Sequence, residues 1–103
     1  MTAIADPERE KTLRSAVGAE FVRIVELHNR VMDKQVRKRL TVARRWLQDA
    51  DHEILGVLLQ ETNSPTEREA LFKMAEHLLA LAEMIRNDTD NRVRLGLAGG
   101  GKE

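Results

Sequence analysis

Apolar residues recur along the first half of the chain at the spacing of a single helical face. Placed 100° apart, Leu13, Val17, Phe21, Ile24, Val25, Val31 and Met32 fall on one third of the circumference. Val36, Leu40, Ala43, Leu47, Ala50 and Ile54 continue that face after a slow rotation. Between Pro7 and Asp49 there is no further proline and only one glycine, Gly18. Asp6-Pro7-Glu8 supplies a capping acceptor, a proline suited to the first helical position and an acid for the positive helix end. The pattern predicts one helix over about residues 7–49, roughly 60 Å long.

Within it Val17, Phe21, Ile24, His28, Val31 and Gln35 alternate spacings of four and three, the pattern of a coiled-coil seam. His28, Gln35 and nearby Arg39 make its middle polar, which leaves a break near 29–33 open. In "DADHEILGVLLQ", Asp51 either caps a short helix over about 51–60, burying Ile54, Leu55, Leu58 and Leu59, or the long helix runs on.

Ser64-Pro65-Thr66-Glu67 combines a capping box with proline at the first helical position, so a helix is predicted over about 65–87. Leu71, Phe72, Met74, Ala75, Leu78, Leu79, Leu81, Ala82 and Ile85 cover about half its circumference, wider than one neighbouring helix needs. Glu69, Lys73, Glu76 and Glu83 line the other side. Asn87-Asp88-Thr89-Asp90-Asn91 is read as its stop. Residues 92–103 are read as a loosely held, glycine-rich tail, with a strand-like segment docking on a partner's edge as the rival reading.

The fold class expected is all-α: one helical domain over 1–91, with the C-terminal helix folded back on the long one as a hairpin. Such a hairpin leaves apolar surface in water, so a homodimer completing a bundle is expected. Val17, Phe21, Ile24, His28, Val31, Trp46, Leu71, Leu78, Leu79 and Ile85 are the candidates for self-association. Composition fits this picture. The 103 residues are 42% hydrophobic and 33% charged, which excludes wholesale disorder and a membrane protein. Phe21, Trp46 and Phe72 are the only aromatic residues, so the core must be aliphatic. A chain this size hides roughly 60–65% of its surface on folding, so association adds usefully to its stability.

The N-terminus lacks the features of a signal peptide and no apolar run reaches the length of a membrane span. Cysteine is absent, which rules out disulfides and thiolate metal sites and suits a reducing cytosol. A cytoplasmic protein without membrane contact is the expectation.

Seventeen basic and seventeen acidic residues cancel, which argues against a general polyanion binder. Yet "KQVRKRLTVARRW", residues 34–46, holds six basic residues and no acid. On the wheel Arg30, Lys34, Arg37, Lys38, Arg44 and Arg45 point away from the apolar stripe, forming a candidate face for a polyanion or an acidic partner. The bland alternative is a solvated helix face, although such faces usually mix charges. Trp46 sits on the wheel near Phe21 and His28, as core or dimer anchor rather than a stacking platform. "LTVARRWLQDADHEIL" has no turn between two short helices and is not a helix-turn-helix.

No HxxxH or ExxH pair accompanies the three histidines, so no metal site is expected. With no cysteine or tyrosine, Ser64 assigned to a cap and no glycine-rich strand-to-helix loop, no catalytic residue and no cofactor is expected either. The reading is a non-catalytic, self-associating regulatory or adaptor protein that binds another protein. The alternative is a dimeric nucleic-acid binder using the Arg30–Arg45 face.

Overall fold

The computed structural model describes residues 7–96, and over these the protein is all-α. Helix α1 spans Pro7–Arg30. Helix α2 starts at Lys34 and is α-helical to Gln48. It continues without a break through a π-helical stretch, Asp49–Leu58, and ends on the turn Leu59–Glu61. Helix α3 spans Pro65–Arg94.

Ion pairs fix the directions of the helices. Arg9 reaches Glu69 and Glu76, so the starts of α1 and α3 lie together. Arg14 of α1 meets Asp51 near the end of α2, and Arg39 near the start of α2 meets Asp88 near the end of α3. The three helices therefore run up, down and up.

The single helix expected over 7–49 is broken: residues 31–33 are not helical. Asp33 caps the new helix at the break. Its carboxylate accepts from the backbone N–H groups of Gln35 (2.9 Å) and Val36 (3.1 Å), capping α2. On the other side, the Arg37 guanidinium donates to the Val31 carbonyl at 3.1 Å, satisfying a group that the end of α1 leaves open. Folding the chain here lays Leu13, Val17, Ile24, Leu27 and Val31 against Val36, Leu40, Ala43 and Leu47, all buried. A continuous helix would have left both stripes facing water. The C-terminal helix consequently packs on two helices, not back on one long one. The cap expected from Asp6 lies outside the described residues.

The 51–60 segment is no separate helix. Buried positions along α2 are spaced four and three from Val36 to Ala50, then five apart in the pairs Ala50–Leu55 and Ile54–Leu59. A π-helix has a wider turn closed by bonds to the carbonyl five residues back, and the Leu59 N–H donates to the Ile54 carbonyl in this way. The wider turn keeps both pairs inside, where an α-helical wheel would carry one of each outward.

At the second loop Ser64 accepts from the Glu67 N–H at 3.3 Å, and Pro65 follows as the first helical residue. Only half of the expected capping box forms. The Glu67 carboxylate accepts from the Thr62 hydroxyl, and the Ser64 N–H donates to that same hydroxyl oxygen at 3.2 Å.

Asn87–Asn91 does not stop α3, which runs to Arg94. Thr89 is buried, Val93 packs on the core, and Asp88 pairs with both Arg92 and Arg39, so the apparent stop is held helical by tertiary contact. The end comes at Gly96, whose positive φ of 76° glycine adopts without steric cost. Arg92–Gly96, expected in the tail, are thus helix and its cap. The remainder of the expected tail lies outside the described residues.

Candidate interaction surfaces

Two seams run along α3. The inner one includes Phe72, Ala75, Ala82 and Thr89, all buried against α1 and α2. The outer one follows a strict alternation of four and three: Glu67, Leu71, Met74, Leu78, Leu81, Ile85, Asp88 and Arg92. Its apolar members are larger than the alanines inside, yet none of them is fully buried. Met74 is 51% exposed, Leu71, Leu78, Leu81 and Ile85 are half-buried, and Met84 beside them is 65% exposed.

Two open grooves flank this outer seam. One, of about 460 Å³, is lined by Trp46, Leu81, Met84 and Ile85 together with Arg39, Asp88 and Arg92. The other, of about 400 Å³, lies at the opposite end among Leu58, Glu61, Thr62, Glu67, Ala70 and Leu71. Trp46 therefore sits between α2 and α3, not beside Phe21 and His28 as the single-helix wheel placed it. With Val42 (45% exposed) and Leu58 (42%), it brings α2 into the same apolar face.

Trp46, Leu71, Leu78 and Ile85 also pack against the protomer's own core, and the other self-association candidates are used within the protomer. Val17, Ile24 and Val31 are buried in the core, and Phe21 and Leu79 pack at its edge. His28 is half-buried between α1 and α2, with Nε2 3.5 Å from the Thr41 hydroxyl. Its pKa lies below 6.5, first because burial penalises the imidazolium and then because the positive charges of Arg37 and Arg44 do.

The basic face divides three ways. Arg30 lies on α1, in a groove against α3 with Arg23, Glu26, Arg86 and Asp90. Arg37 and Arg44 turn towards α1: Arg37 caps it, and Arg44 stands over the Phe21 ring at 5.5 Å. Lys34, Lys38 and Arg45 form an exposed ridge about 17 Å long on the outer side of α2. Among the described residues these three form no ion pair, whereas Arg9, Arg14, Arg23, Arg39, Arg86 and Arg92 all do.

One charged residue occupies a position of the apolar stripe itself. Glu20 of α1 is completely buried, accepting from Arg86 of α3 and from Arg23 at 3.3 Å. It ties α1 to α3 midway along the bundle. Its position fits the apolar stripe (four before Ile24), so an acid at a stripe position was the only clue. At one end of the α1–α3 contact Arg9 plays a similar part, donating to Glu69 at 2.6 Å and standing 4.5 Å from the Phe72 ring centre. The Glu69 carboxyl is held below its usual range by that hydrogen bond.

No group of three or more histidine, cysteine or acidic side chains arranged for a metal ion occurs among the described residues, and none of the described helices is long and apolar enough to cross a membrane. Compared with known proteins, the chain matches no family model, no curated sequence and no solved structure.

Proposed function

We propose that the protein is a non-catalytic helical adaptor or regulator that acts by protein–protein binding, self-associating through the face shared by α2 and α3. The observation that carries this reading is the outer seam of α3. A heptad stripe of leucine, isoleucine and methionine stays partly in water, while the fully buried positions of α3 hold Phe72, Ala75, Ala82 and Thr89. A contiguous apolar face of this kind, rimmed by charged groups, marks an association site. Trp46 on its border is the residue type that anchors interfaces. The lack of cysteine suits action in the reducing cytosol. Substituting Leu81→Glu tests the reading. The half-exposed side chain accommodates a carboxylate in a lone protomer, so helix content should persist while association is lost. A variant that keeps the wild type's mass in solution would sink the reading.

A second reading, nucleic-acid binding, is favoured by the ridge of Lys34, Lys38 and Arg45, whose charges have no partner among the described residues. In a dimer about six such phosphate contacts give a slope of about −5 for log affinity against log salt. Changing the three to glutamine should abolish that dependence. Absence of measurable binding to duplex or single-stranded DNA or RNA at low salt excludes this reading.

A further inference from the structure

We infer that the occupant of the α2–α3 face is a second copy of this chain, with the two α3 helices antiparallel and Glu67 of each copy set against Arg92 of the other. This rests on the proposed self-association and adds its geometry.

Glu67 and Arg92 lie on the same seam, near opposite ends of α3. Parallel pairing would set Glu67 against Glu67 and Arg92 against Arg92, like charges at both ends. Antiparallel pairing can keep seam on seam only in registers that differ by seven residues. The register centred between Leu78 and Leu81 puts those two leucines across from each other and Met74 across from Ile85. It also brings each Glu67 to an Arg92. Shifting it by seven residues in one direction sets Glu67 against Ile85, and in the other it sets Arg92 against Met74. Each of the three registers sets a charge against an apolar side chain (Leu71 against Asp88 in the central one, Glu67 against Ile85 or Arg92 against Met74 in the shifted ones), which is costly. Only the central register offsets this by joining Glu67 to Arg92 at both ends.

Both partners have capacity to spare. Arg92 donates to Asp88 through Nε alone, at 3.1 Å, leaving its Nη groups open to a second carboxylate. Glu67 receives the Thr62 hydroxyl on Oε1, leaving Oε2. The grooves at the two ends of the seam would be exchanged by the same twofold axis, so the one beside Leu71 and Glu67 faces the one beside Ile85 and Arg92.

The chain has no cysteine, so single thiols can be introduced into the full-length protein without background. Glu67→Cys and Arg92→Cys proteins, mixed and mildly oxidised, should form the mixed disulfide. Neither alone should link to itself, because its two copies would lie about 38 Å apart along the axis. Homodisulfides from each protein alone would show parallel pairing and overturn the inference. So would the absence of any disulfide in a protein that keeps a dimer's mass, although self-association would then stand. A monomer's mass for the unmodified chain would remove both. As a second readout, Glu67→Arg and Arg92→Glu should each weaken dimerisation by up to about tenfold, and the double exchange should restore it. Failure of the double exchange to restore it counts against the pairing.

Discussion

The two seams of α3 differ in what fills them and in what they leave over. The inner seam is closed by Phe72, two alanines and Thr89, with the Glu20–Arg86 pair set beside it. Small side chains let three helices approach closely, but they bring little apolar area out of water. The outer seam carries the larger aliphatic groups and hides only part of them. In a bundle selected solely as a monomer the assignment would be reversed, because burying a leucine stabilises by about 1.5–3 kcal/mol and an alanine by much less. The inner seam lies wholly inside the protomer, and the outer seam, which packs on the core along one side only, is the one proposed to meet a second copy.

Substitutions on the two seams should therefore separate folding from association. Phe72→Ala empties a fully buried site on the inner seam and should cost about 3–5 kcal/mol of stability, read from denaturant unfolding. Arg86→Met leaves the buried Glu20 carboxylate with Arg23 alone and should cost about 3 kcal/mol. Adding Glu20→Leu to it should recover most of that loss, because apolar groups can replace a buried pair. A double variant no more stable than Arg86→Met would show that the pair does more than neutralise itself. Met74→Ser on the outer seam should change protomer stability by no more than about 0.5 kcal/mol while weakening association. An unfolding effect as large as that of Phe72→Ala would erase the distinction between the seams.

The smallest effect is expected away from both, at His28. Its pKa in the folded protein is lower than in the unfolded chain, so the unfolded chain binds more protons as acid is added. Stability is then full at neutral pH and declines as pH falls through the unfolded value of about 6.5. His28→Leu should flatten the melting temperature between pH 7 and 5. Equal slopes in the two proteins would place the titration elsewhere.

The helical class, the start of α3 and the apolar breadth of α3 were all legible in residue spacing. So was the polar middle of the seam at His28, Gln35 and Arg39, which left a break near 29–33 open without deciding it. Helical periodicity runs on through Asp33, and only the gain from folding one stripe onto the other decides that Asp33 caps instead of continuing. Similarly, the five-residue spacings Ala50–Leu55 and Ile54–Leu59 are visible in retrospect, but 100° wheels average them away. Asn87–Asn91 looks like a stop by local propensity, which the burial of Thr89 and the pairs made by Asp88 override. The basic stripe was legible as charge, but its division among three surroundings depends on which helix each side chain faces. Glu20 illustrates the general limit: a charge on an apolar stripe is explained only by its partner, here Arg86, sixty-six residues away.

The outer seam of α3 is proposed to be an interface. Light scattering on the unmodified protein from 1 to 100 µM tests it most directly. A mass of twice 11.7 kDa is expected at the upper end, falling only on dilution. A constant 11.7 kDa across the whole range would contradict it.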